Sequence, residues 1–310
     1  MKLQGMFALA ATPFDHTGAI YRAKVEHNFA KWRRTSLGGF VVGSLAGEGP
    51  LLTAAEKIEL MEIAAATVNA KTEGIKIAGA GVPNTNSTPL VGDVTGEGVH
   101  AAAALARALA KAGANAVISR APHQYRHLSH AADFPILYFR ALADQSPVPV
   151  VIQNAPVVTE VDLSPSTIAT LAQHPNIVGV LESGTPVSRV EEIRALAGKD
   201  FAVLCGTESL VWESLRAGAN GAALAFASAA PYAAIAIWEA FRTREEEAGI
   251  DWQGRIAHPS ILVTGVHGPA GLKHAMDLNG YYGGLPRLPF PPVDESAKEE
   301  IEEAFRDLKG

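Results

Sequence analysis

Asn176-Ile177-Val178-Gly179-Val180-Leu181-Glu182-Ser183-Gly184 opens with a short apolar run in which polar and apolar positions do not alternate. A strand of this kind is covered on both faces, as in a parallel sheet flanked by helices. Segments of the same character, rich in Val, Ile, Ala and Gly, recur at 5–13, 38–44, 75–81, 116–119, 149–153, 177–181, 201–205 and 221–226. Helical stretches separate them, which implies right-handed parallel crossovers. Eight such units in 310 residues predict an α/β fold of the (β/α)8 barrel type rather than an open sheet.

Local signals punctuate the repeat. Thr53-Ala54-Ala55-Glu56 has the spacing of a capping box. Ser164-Pro165 places proline in a first helical turn, where its missing N–H costs nothing. Ala-Gly-Ala at 112–114 and at 217–219 puts glycine where a helix ends and a strand follows. The barrel is expected over 1–228 and a helical subdomain over 229–310, ending in the charged, helix-prone 295–309. Residues 83–100, rich in Gly, Thr, Asn and Pro, read as a long loop after the third strand. A lid, a subunit contact and a tolerated insertion all fit it.

With 48% hydrophobic and 19% charged residues, the chain has the material for a large core. Its 26 Lys+Arg against 32 Asp+Glu give a net charge of -6, which argues against a nucleic-acid binder while allowing a local basic pocket. The uncharged run 221–238 approaches membrane-spanning length, but Pro231 divides it into a strand and a helix start, so no membrane span is expected. Cys205 is the only cysteine, and the Met1 end lacks the apolar core and cleavage site of a signal peptide. A cytoplasmic protein is expected.

Barrel sites gather where strands end, so the residues closing each apolar run carry the chemistry. Four features stand out: Gly43-Ser44-Leu45-Ala46-Gly47-Glu48-Gly49 followed by Leu52-Thr53 and Glu56, Asn154-Ala155-Pro156, Gly206, and Gly271-Leu272-Lys273 ahead of Gly280-Tyr281-Tyr282-Gly283-Gly284. Their order and spacing over nearly the whole chain resemble the dihydrodipicolinate synthase and N-acetylneuraminate lyase family of pyruvate-type aldolases. Residues 173–179 and 280–284 look most like the 4-hydroxy-2-oxoglutarate aldolase branch. The resemblance implies Schiff-base chemistry, in which a lysine amine attacks the carbonyl of a 2-oxo acid and a tyrosine relays protons.

At these two positions the chain departs from the family it resembles. Leu181 stands at the lysine position and Gln153 at the tyrosine position, and their 28-residue separation matches the family without a gap. Lys76, at a strand start, and Lys273, on the carboxy-terminal helices, do not substitute obviously. Leucine keeps the strand packed while removing an amine that would need desolvation. The 43–48 loop is one residue longer than the family pattern, and Val158 stands where an arginine is expected.

Arg120 departs the other way, placing a guanidinium past the fourth strand that suits a carboxylate or phosphate; an arginine paired with a rim acid is the alternative. Tyr125 matches a tyrosine that the family sends toward a neighbouring subunit, so it reads as catalytic or as interface packing. His123, His127 and His130 have metal-ligand spacing without an evident carboxylate, and solvated loop histidines are the favoured reading. Glu48 and Glu182 read as structural, Glu182 because it follows an inward Leu181. Cys205 reads as a buried inert thiol.

Ligand contacts are therefore expected from Ser44, Leu45, Arg120, Gln153, Gly206 and Ala223, with no cofactor and no metal. The expected partners are a small-molecule ligand and, by resemblance, further copies of the chain as a homodimer or homotetramer. Two functions stay open: a lyase acting on a 2-oxo-acid-like compound without the usual lysine, and a catalytically inactive ligand-binding or oligomer-partner homologue.

Overall fold

Eight parallel strands close on themselves in sequence order: β1 (Gly5–Leu9), β2 (Gly39–Val42), β3 (Leu90–Asp93), β4 (Ala116–Arg120), β5 (Val150–Asn154), β6 (Ile177–Glu182), β7 (Ala202–Cys205) and β8 (Gly221–Leu224). This structure, a computed structural model, describes residues 3–70, 88–128 and 133–308. The helices are α1 (Arg22–Trp32), α2 (Ala54–Val68), α3 (Val99–Lys111), α4 (Phe134–Gln145), α5 (Pro156–Thr159), α6 (Pro165–Ala172), α7 (Ser188–Ala197) and α8 (Val211–Arg216) around the barrel. Then come α9 (Pro231–Thr243), α10 (Glu246–Ser260), a π-helical stretch Ile261–Val266, α11 (Gly268–Leu278) and α12 (Glu295–Ala304). The fold is a (β/α)8 barrel with a carboxy-terminal helical subdomain, as the recurring apolar runs imply.

One strand is misplaced by the sequence reading. The expected third strand at 75–81, with Lys76, lies outside the described residues. The strand that pairs between β2 and β4 is β3, inside the segment 83–100 read as a loop. The Gly, Thr and Asn around Leu90-Val91-Gly92-Asp93 hide a four-residue strand that is buried throughout. Gly92 lets the Leu109 side chain pack close to the strand: a Cβ would meet Leu109 Cδ1 at 2.6 Å and push that side chain aside.

Inside the barrel, Leu3, Phe7, Val41, Val91, Ala116, Ile118, Val151, Leu181, Leu204 and Ala223 form one apolar cluster. Side chains on the other strand faces pack outward under the helices, which is why these strands carry no polar stripe. Leu181 pairs in register with Gln153 on one side and Leu204 on the other.

The helix signals hold in detail. Thr53 Oγ1 accepts from Glu56 N at 3.2 Å while Glu56 Oε2 accepts from Thr53 N at 2.8 Å, and Ser164 caps α6. Thr53→Ala is expected to lower stability by about 1 kcal/mol, the usual cost of a lost cap, read as a shift in the denaturant midpoint at unchanged slope. Gly113 closes α3 at φ 111°, and a Cβ there would sit 2.5 Å from the Ala65 Cβ. The uncharged run 221–238 splits into β8 and α9. No helix among the described residues is long and apolar enough to cross a membrane.

Candidate ligand site at the barrel mouth

Alternation along each strand, fixed by the inward Val91, Ile118 and Val151, brings Asp93, Arg120 and Gln153 to the inner face one step nearer the carboxy rim. Ser44 lies two residues beyond the end of β2. These four residues lie at or near the carboxy ends of four successive strands, and all are buried. The Asp93 carboxylate accepts from Thr95 N at 2.7 Å through Oδ1, while Oδ2 stands 3.6 Å from Arg120 Nη1. Thr95 Oγ1 in turn accepts from Arg120 N at 3.1 Å. Ser44 Oγ, Asp93 Oδ2, Arg120 Nη1 and Gln153 Oε1 are all buried without a hydrogen-bond partner. Each such group left unpaired costs about 1–3 kcal/mol, so a folded chain keeps several together only where something else satisfies them.

Lys57 adds a second cation. It lies in the first turns of α2, with its stem beside Gly43: a Cβ on that glycine would sit 3.7 Å from Lys57 Cγ. Its Nζ donates to the Asp93 carbonyl at 3.4 Å. Burial draws the ammonium below the ordinary lysine range, Asp93 opposes that, and Arg120 adds to the lowering. Among the described residues, two cations thus stand beside Asp93 on this side of the mouth, Arg120 at its carboxylate and Lys57 at its carbonyl. The other side is apolar, formed by Leu181, Ala223 and Gly206, where a Cβ would meet Ser183 Oγ and, at 3.1 Å, Leu181 Cδ1.

The remaining sequence candidates fall elsewhere. Leu45 is half-buried in the β2 loop, whose turn is held by Gly47 N and Gly49 N donating to Ser44 O. Tyr125 is 61% exposed beyond β4, and Val158 is exposed on α5. His123 is engaged by Glu97, whose carboxylate also accepts from His123 N and Gln124 N at 3.0 Å. His127 is exposed and His130 lies outside the described residues. No group of three His, Cys, Asp or Glu among the described residues is placed to hold a metal. Glu182 faces outward into a polar network with Asn154 Nδ2 at 2.8 Å, Gly184 N at 2.6 Å and Arg189. Burial raises its pKa and Arg189 opposes the rise. Burial likewise pushes the Cys205 thiol up to about 11, which fits an inert group.

Sequence reasoning missed Asp93 and Lys57. Asp93 was hidden with its strand. Lys57 carried a readable signal, because a cation in the first turns of a helix opposes the helix dipole and needs a reason to be there.

A closed barrel of eight parallel strands with unsatisfied polar groups at their carboxy ends belongs to the (β/α)8 class, in which functional sites form at this mouth. The match to the dihydrodipicolinate synthetase family spans residues 2–308, and the chain belongs to that family of aldolase-type lyases. It is 32% identical over 304 residues to a 4-hydroxy-tetrahydrodipicolinate synthase of Stenotrophomonas maltophilia, covering 97% of this chain and 96% of the relative. A second synthase, from Exiguobacterium, is 28% identical over 301 residues, covering 96% and 95%. In structure, the chain is similar to a dihydrodipicolinate synthase from Bacillus anthracis (TM-score 0.90, 22% identity, 100% of both chains). It is also similar to an Escherichia coli K12 prophage protein of the family solved with pyruvate (TM-score 0.86, 21% identity, 99% and 98% covered). At these identities the structural likeness speaks to the fold alone.

Proposed function

We propose that the chain binds a small 2-oxo acid at the barrel mouth and acts on it as an aldolase-type lyase, without an amine at Leu181. The observation that carries this is the set of unpaired buried polar atoms on Ser44, Asp93, Arg120 and Gln153, with Lys57 leaving positive charge in excess of Asp93. A 2-oxo acid fits part of this set directly: its carboxylate takes the free face of Arg120 and the Ser44 hydroxyl donates to a neighbouring oxygen, while Asp93 Oδ2 and Gln153 Oε1, both acceptors, are left for a protonated group of the ligand or a bridging water. Pyruvate, the molecule bound in the Escherichia coli protein of the same fold, is the simplest member of this ligand class and the first to test. Leu181 and Ala223 give the ligand an apolar wall.

Leu181, buried in the interior cluster, favours a second reading: a protein that holds the acid without turning it over. Calorimetry with pyruvate and 2-oxoglutarate tests binding, and an aldol-cleavage assay with 4-hydroxy-2-oxo acids separates the readings. Absence of saturable binding to either acid removes both.

Self-association is supported by an exposed apolar patch beside the mouth, where Arg126 pairs with Glu160 and so joins Tyr125 and Leu128 to Val157, which is 93% exposed. Val157→Asp is expected to shift the chain toward a smaller species in sedimentation velocity at micromolar concentration. An unchanged profile from an oligomeric parent would rule this patch out as the contact. The lone buried Cys205 suits a reducing, cytoplasmic setting.

A further inference from the structure

Burial pulls the amines of both Lys57 and Lys273 downward, but the two nitrogens are held differently. Lys273 Nζ is locked 2.6 Å from Glu48 Oε1 and donates to Leu285 O at 3.0 Å. Among the described residues, Lys57 Nζ has a single long contact, 3.4 Å to the Asp93 carbonyl, and no ion pair within bonding distance. It stands at the rim between β2 and β3, next to the Asp93–Arg120 pair, with its stem running past Gly43. An amine reacts with a carbonyl only as the free base, and desolvation beside another cation is the physical route to that form near neutral pH.

On the reading that Arg120 anchors a 2-oxo acid, we infer that Lys57 is the amine that meets its carbonyl: α2 supplies from outside the barrel a nucleophile that β6 does not. The carboxylate on Arg120 places C2 of the acid on the Lys57 side of the mouth. Nζ adds to C2 to form a C–N bond, the C2–O bond breaks, and the oxygen leaves as water with both amine protons. One proton from solvent then converts the imine to an iminium. No oxidant or further reactant is needed. Asp93, with Oδ2 free of hydrogen bonds, is the adjacent group able to accept and return a proton during addition.

Trapping tests this directly. The full-length protein is incubated with pyruvate, reduced with cyanoborohydride, digested and mapped by mass spectrometry. The expected product is wild-type protein heavier by one pyruvic acid less one oxygen, with the addition on Lys57. Trapping should persist to lower pH than at the exposed Lys199, which serves as an internal reference. Lys57→Met, which keeps the stem, and Lys57→Arg, which keeps the charge, should both lose the adduct while melting as cooperative folded proteins. An adduct that forms on another lysine in preference to Lys57 as the pH is lowered, or none on Lys57 at saturating pyruvate, overturns the assignment. Because binding is measured separately by calorimetry without reductant, Arg120-dependent binding with no adduct defeats Lys57 alone. Failure of binding itself defeats both the Lys57 role and the proposed ligand.

Discussion

Arg120→Ala is expected to weaken binding of pyruvate or 2-oxoglutarate by about ten- to a hundredfold, roughly the 1.5–3 kcal/mol of a charge-assisted hydrogen bond and its desolvated surroundings. Two effects act together. The guanidinium fork that meets the carboxylate is lost, and the buried Asp93 is left facing an incoming anion with Lys57 as the one other cation beside it among the described residues. Arg120→Lys restores charge without the fork and should recover only part of the affinity. The Arg120–Asp93 pair is buried on both sides, so removing one partner is also expected to cost stability, on the order of 3–5 kcal/mol. Calorimetry must therefore be run well below each variant's melting temperature, with circular dichroism confirming a folded protein. Affinity within about threefold of wild type in folded Arg120→Ala would show that Arg120 pairs only with Asp93 at the rim, which is less than the roughly tenfold that 1.4 kcal/mol represents.

The barrel was legible because its strands lie between two apolar layers, and a run such as 177–181 announces that burial without any long-range information. The third strand was not legible for a related reason. In β3 two of the four positions are Gly92 and Asp93, one needed for close packing against Leu109 and the other for the mouth, so the apolar signal drops below that of 75–81. Local propensity reported the helix caps faithfully, since Thr53 and Glu56 satisfy each other within one turn. The site was half legible. Arg120, Gln153 and Ser44 were found because they close readable strands, whereas the pairing of Arg120 with Asp93 joins positions that only the barrel's register brings together. Of the two readings of Arg120, the geometry gives the partner of a rim acid, and the anion anchor remains the proposal. Arg120 Nη1 stands 3.6 Å from Asp93 and still lacks a hydrogen bond. Lys57 is invisible to strand-end reasoning because it arrives from a helix.

Lys273→Met is expected to destabilise the fold by about 3–5 kcal/mol, among the largest effects of any single change here, because it strands the buried Glu48 carboxylate. Glu48 sits in the left-handed region at φ 57° in the β2 loop, and its Oε2 accepts from Arg287 N at 2.7 Å. Arg287 carries the connection onward to Glu56 at 2.6 Å and to Leu51 O at 2.9 Å, and both Lys273 and Arg287 lie over the Phe14 ring at 4.3 Å. One network thus fastens the tail and α11 to the loops after β1 and β2, which border the mouth. Lys273→Met with Glu48→Gln should recover much of the loss, since the uncompensated charge is removed with its partner. Acid gives an independent reading. The Arg287 hydrogen bond holds the Glu56 carboxyl at about 2 against an ordinary 4.5. A folded-state pKa below the unfolded value gives stability that is present above pH 4.5 and lost as pH falls toward 2. Arg287→Met should flatten that part of the urea-midpoint curve, while Lys273→Met should lower the whole curve and leave the acid slope from Glu56 in place. A Lys273→Met cost below about 1 kcal/mol would mean that Glu48 finds water or a proton instead, and that the lysine is not fixed as a structural ion. Its amine would then be as free as that of Lys57, and the reason for preferring α2 over α11 as the source of a reactive nitrogen would be gone.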